Sequence, residues 1–207
     1  TTNGATIKNV AFVDFNVSAA SANHVGFIGS AAATKFDQVY VDGKVSGNDH
    51  VALLAGDGDN CTVTNTFTNG TLVGGSQIGG FFGCTLEGGA DIQKSYFNGS
   101  LTATYRGWVG GFIGLIDKAN SEVTIENCVS IGDCQFSQDA NGDPKKTGPF
   151  IAGNSAGDTP NAKVTFSSNN IKNTNANMSH ESDWPGEIPT ADDETPVDFA
   201  EELAAQG

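Results

Sequence analysis

A short apolar phrase that closes on glycine returns five times along this chain, and no other feature restricts its fold as much. The copies are Val25-Gly26-Phe27-Ile28-Gly29, Val51-Ala52-Leu53-Leu54-Ala55-Gly56, Ile78-Gly79-Gly80-Phe81-Phe82-Gly83, Val109-Gly110-Gly111-Phe112-Ile113-Gly114 and Pro149-Phe150-Ile151-Ala152-Gly153. Their closing glycines stand 27, 27, 31 and 39 residues apart. Recurrence at this period marks stacked supersecondary units, none of which buries its apolar face alone. The period is kept through the first three copies and then stretched by insertions.

A second segment alternates with the first. Ile7, Phe36, Val63, Ile92, Ile125 and Phe166 are apolar anchors, each followed seven residues later by Asp14, Gly43, Gly70, Gly99, Gly132 or Asn173. Gly, Asn and Asp take positive φ most easily, so the spacing predicts a left-handed turn at that point of every unit. Two residues before the anchor stand Ala5, Thr34, Cys61, Ala90, Val123 and Val164; four after it stand Ala11, Tyr40, Phe67, Tyr96, Val129 and Asn170. With a period of two, both columns are expected on the inward face of short strands. Val45, Leu72, Leu101 and Cys134, nine after the anchor, form a further apolar column. The position two after the anchor holds Asn9, Gln38, Asn65, Lys94, Asn127 and Ser168, mostly amides or short polar groups suited to a bend.

Frequent glycine, alternating β-branched and aromatic residues, and the lack of any long three-to-four spacing argue against helices. The expected fold is all-β, a parallel β-solenoid of about five coils spanning residues 1–174, with like residues stacked at roughly 4.8 Å. A right hand is favoured by analogy with other parallel β-helices.

The phrase Val109 to Gly114, followed by Val123-Thr124-Ile125-Glu126-Asn127-Cys128 and a turn at Gly132, resembles the GLUG repeat of bacterial surface and secreted proteins. The resemblance covers roughly residues 4–174 and is clearest over 61–134. It implies a spacer or binding module of a large cell-wall protein, adhesin-like, with no catalytic residues to carry over.

Charge limits the partners. The formal net charge is −14 and Arg106 is the single arginine, which excludes nucleic acid as a partner, since affinity there comes from basic groups neutralising phosphates. The acidic surface is read chiefly as a solubility device. No hydrophobic run is long enough to span a bilayer, so membrane insertion is not expected. With Thr1 at its start, the chain reads as a mature or excised piece of a longer secreted protein. Cys61, Cys84, Cys128 and Cys134 lack the paired close spacing of a zinc ribbon and are expected as buried free thiols, with a Cys61–Cys84 disulfide as the alternative. The five Asn-x-Ser/Thr sequons are read as turn composition.

Three constellations could carry chemistry. Asp139-Ala140-Asn141-Gly142-Asp143 places oxygen ligands at alternate positions, as calcium loops do; Phe150 stands where a closing Glu would be needed, and Lys145 and Lys146 follow at once. A polar turn is the plainer reading, with calcium at Asp139, Asn141 and Asp143 as the sharper one. Tyr105, Arg106 and Trp108 cluster on one loop, and an exposed Trp beside Tyr suits a sugar face; edge packing is the plainer alternative. His24 and His50 precede the first two phrases at matching positions, continued by Gln77 and Trp108. No carboxylate recurs in that column, so no metal is expected there, and Asp57-Gly58-Asp59-Asn60 reads as a tight turn.

Glycosidases need two carboxylates converging about 5 to 9.5 Å apart, and no repeat segment holds an Asp-Asp pair, so catalysis is not expected. Residues 175–207 are acidic and contain neither Lys nor Arg. Thr195-Pro196-Val197-Asp198 reads as the start of a short helix, over about 196–205, in a tail read either as a cap over the solenoid's end or as a flexible acidic linker to a next domain. An uncovered end would favour self-association. The function expected is that of a non-catalytic extracellular module, a rigid spacer or adhesion surface on a bacterial cell. Alternatives are a binding module for host glycan or protein at the loop near Trp108, and a subunit of a surface filament.

Overall fold

The computed structural model describes residues 1–118, 120–154, 162–166 and 170–172. Among them there is no helix, and every strand pairing is parallel. The chain winds into a β-solenoid of about five turns, as the repeats require. The expected tail over 175–207, its cap and its helix lie outside the described residues.

Three sheets wrap the core. The phrases build two of them. Asn23–Val25, Asp49–Ala52, Ser76–Gly79, Gly107–Gly110 and Lys145–Gly148 form a five-stranded sheet, and Thr2–Asn3, Ile28–Ala32, Ala55–Asp59, Phe82–Thr85, Ile113–Ile116 and Ile151–Asn154 form a six-stranded one. The anchor segments build the third, an 11-stranded sheet in which the long strand Lys35–Ser46 joins two arms.

The anchor column stacks as the spacing predicts. Ile7 pairs with Phe36, Phe36 with Val63, Val63 with Ile92, Ile92 with Ile125 and Ile125 with Phe166. A second spine rises through the phrases, where the Phe81 and Phe112 rings lie 4.5 Å apart and those of Phe112 and Phe150 5.0 Å apart, all three fully buried. Face-to-edge and tilted stacking of this kind adds about 0.5–1.5 kcal/mol per pair beyond simple burial.

Four expectations need correction. First, the recurring left-handed residue is two after the anchor, not seven: Asn9, Gln38, Asn65, Lys94 and Asn127 have φ of 46 to 54°, whereas among the described residues of the column seven after it only Asp14 and Gly70 have positive φ. Gly99 and Gly132 are needed for another reason. A Cβ on Gly99 would lie 2.6 Å from the Gly70 carbonyl oxygen, and one on Gly132 2.6 Å from that of Gly99, so successive coils approach too closely for any side chain.

Second, the left-handed residue resets the strand alternation. The buried positions are therefore three and five after the anchor, as in Val39, Thr66, Ser95 and Cys128, then Val41, Thr68, Phe97 and Ser130. The column four after it turns outward, and Tyr40, Phe67 and Tyr96 make a half-buried aromatic ladder with centroids 5.0 and 4.6 Å apart.

Third, Val129 pairs with Ile171 rather than Asn170. Asn170 is buried just before it; its Oδ1 accepts from the Cys128 backbone N–H at 2.8 Å and its Nδ2 donates to the Ile125 carbonyl at 2.7 Å. Fourth, Ile113 pairs with Ile151 and Leu115 with Gly153, so Ala152, not Gly153, takes the closing position of the fifth phrase.

All four cysteines are free and buried, and no Cys61–Cys84 disulfide is present. Burial raises the pKa of each thiol, which keeps them as core-filling groups rather than nucleophiles.

Candidate functional site: the seam between two sheets

The closing glycines do more than end a phrase. A Cβ on Gly56 would fall 2.6 Å from the carbonyl carbon of His24, and one on Gly83 2.5 Å from that of His50. Glycine here lets the six-stranded sheet lie directly against the backbone of the five-stranded one. Two columns of side chains meet along the resulting seam. One is the expected column of His24, His50, Gln77 and Trp108, which the register extends to Lys146. The other is the residue after each closing position: Ser30, Asp57, Cys84, Leu115 and Gly153.

Asp57 lies at the centre of the early seam. It is buried, and both of its oxygens are taken: Oδ2 by Nδ1 of His24 and Oδ1 by Nδ1 of His50 at 2.6 Å. The two imidazoles pack edge-on with centroids 4.8 Å apart. His24 and His50 hold left-handed φ of 56° and 50°, which aims both rings across the seam. Among the described residues, these three form the one group of three or more His, Cys, Asp or Glu side chains whose ligand atoms converge, all within 4.8 Å of one another.

A second layer surrounds them. Asp49 accepts the His50 backbone N–H at 3.1 Å and its Oδ2 stands 4.0 Å from His50 Nε2; the Gln77 amide, with its nitrogen turned toward Asp49, donates to the same carboxylate. Burial alone would lower the His50 pKa; the Asp57 hydrogen bond and charge, with Asp49 and Asp117 behind them, overcome it and leave the group raised. Cys84, on the strand beside Asp57, is held protonated by burial first and then by the charges of Asp57, Asp117 and Asp49.

The sequence placed His24 and His50 together but missed their carboxylate, because Asp57 follows the phrase and reaches the histidines from the neighbouring sheet. Its signal was the column after the closing glycine, which holds a different residue type on each coil.

The late seam is different in character. Trp108 is half-buried and its indole lies over Gly153, where any side chain would collide with the ring. Tyr105 and Arg106 stay exposed on the same loop, with the guanidinium 5.5 Å from the Tyr105 ring centre. The structure thus separates the sequence cluster into an exposed pair and a packed indole. Gly142 packs against Tyr105 and Arg106, and its N–H donates to the Tyr105 carbonyl at 3.1 Å, so the insertion carrying Asp139, Asn141 and Asp143 lies beside the aromatic loop. Those three side chains are exposed, and the Lys145 ammonium donates to the Ala140 carbonyl between them.

The fold and seam define a parallel β-solenoid with a histidine–carboxylate cluster on its early coils. No protein-family model matches the chain, and no curated protein or solved structure matches it either.

Proposed function

We propose that this chain is a non-catalytic extracellular repeat module of the GLUG kind, serving as a rigid spacer or adhesion surface of a bacterial cell-surface protein. The observation that supports this most is the unbroken anchor column: from Ile7 to Phe166 each coil is hydrogen-bonded in register to the next. Such a stack transmits load along its axis and holds a fixed surface outward, because each coil contacts only its neighbours and is locked to them in register. Antibody raised against residues 1–174 should label intact cells of the source bacterium. Labelling that appears only after lysis would reject an extracellular role.

A second reading is favoured by one feature, the exposed Tyr105 and Arg106 pair beside the half-buried Trp108. An aromatic face next to a guanidinium suits a glycan or a protein loop. Glycan-array binding that vanishes in Tyr105→Ala and weakens in Trp108→Ala would support it; an array with no positive spot would remove glycan as its ligand.

A further inference from the structure

The geometry points to a binding site for a divalent transition-metal ion of the zinc class at His24, His50 and Asp57, fastening the first coil to the second. Two imidazoles and one carboxylate are a ligand set that zinc-class ions prefer over calcium or magnesium, which favour oxygen-only cages. Both Nδ1 atoms already face one carboxylate, one on each oxygen, so an ion replacing the shared protons needs only small ring movements.

Three further observations converge. Asp49 Oδ2 stands 4.0 Å from His50 Nε2, within reach of charge attraction though not of a hydrogen bond, on the side where metal-bound histidines commonly have a carboxylate. Carboxylates dominate the field around the rings, and Lys118, the nearby cation, is paired with Asp117 at 2.7 Å. His24 is 49% exposed, which leaves an entry path and room for a water as fourth ligand. The cluster is also not a by-product of stacking. The same two columns carry Gln77 with Cys84 on the third coil and Trp108 with Leu115 on the fourth, so the ligand set occurs once. This inference stands apart from the spacer reading, since a module of any function could be stapled this way.

The test is zinc titration of the 207-residue chain by calorimetry after treatment with chelator. One zinc per chain is expected, with affinity reduced at least about 10-fold in His24→Gln and in His50→Gln. Substitution of the chain's third histidine, His180→Gln, and Asp139→Asn should leave binding as in the parent, and millimolar calcium should not compete. No binding at millimolar zinc, or affinity unchanged in both seam variants, overturns the site. Should either variant fail to fold, the parent still decides. Long-range proton–nitrogen spectra should show zinc moving the Nδ1 signals of His24 and His50; movement confined to His180, or none, overturns the inference.

Discussion

The interior spine and the seam rise through the same coils, yet they are filled by opposite rules. Inside, like stacks on like: Phe81 on Phe112 on Phe150, and Val63 on Ile92 on Ile125. Along the seam every coil differs, from His50 facing Asp57 to Trp108 over Gly153. A position that must match its neighbours above and below reports the requirements of stacking, whereas one that is free to differ and still converges on a buried charge reports something specific to this chain. The comparison also explains the glycines, which serve both regions by removing the Cβ where two backbones touch.

The largest effect should come from breaking the spine. Phe112→Ala removes a fully buried ring between two others and should cost about 3–5 kcal/mol, read as a drop in the urea midpoint. A smaller loss, with unchanged packing of Phe81 and Phe150, would mean the column tolerates a gap and is not the scaffold it is taken to be.

Forcing the seam apart comes next. In Gly56→Ala the new methyl meets the His24 backbone at 2.6 Å and the Gly29 carbonyl at 2.7 Å. Destabilisation of about 1–3 kcal/mol is expected, together with loss of the His24–Asp57 contact in a crystal structure of the variant. Retained contact at full stability would show that the two sheets are not held at their limit.

A pH series sharpens the comparison, because the spine does not titrate and the seam does. The pKa of His50 is raised in the folded chain, so its contribution is fully present below the ordinary histidine value of about 6.5 and is lost as pH rises through the raised one. In chelator, the stability difference between the parent and His50→Gln should therefore be widest in mild acid and shrink toward alkaline pH. A difference that grows with pH would contradict the assigned direction.

The smallest effect belongs to the exposed loop. Tyr105→Ala should change stability by no more than about 0.5 kcal/mol, since the side chain is exposed, its ring edge lies against Gly142, and the loop's hydrogen bond to Gly142 is made by the backbone. A large loss by thermal melt would place Tyr105 in the scaffold and weaken its reading as a contact surface.

Much of this arrangement was legible in the sequence. The anchor column from Ile7 to Phe166 and the column His24, His50, Gln77 and Trp108 stand in the predicted register, because a repeat that stacks must put equivalent positions above one another. Tyr40, Phe67 and Tyr96 were misplaced to the interior, since strict alternation was carried through Gln38, Asn65 and Lys94, where a left-handed residue shifts it by one. The slip at Ala152 arose because Gly153 mimics a closing glycine while making room for Trp108. Asp57 was hidden for a topological reason: a turn-like Asp-Gly-Asp gives no hint that a second sheet lies folded against it.

That scaffold and site are two faces of one repeat is tested most directly by diffraction at the zinc edge from crystals grown with zinc. The account predicts one anomalous peak bonded to Nδ1 of His24, Nδ1 of His50 and a carboxylate oxygen of Asp57, at about 2.0–2.2 Å from each, with the anchor residues stacked coil on coil beneath it. Crystals that show the stack but no peak at the seam, or a peak elsewhere on the molecule, would contradict it.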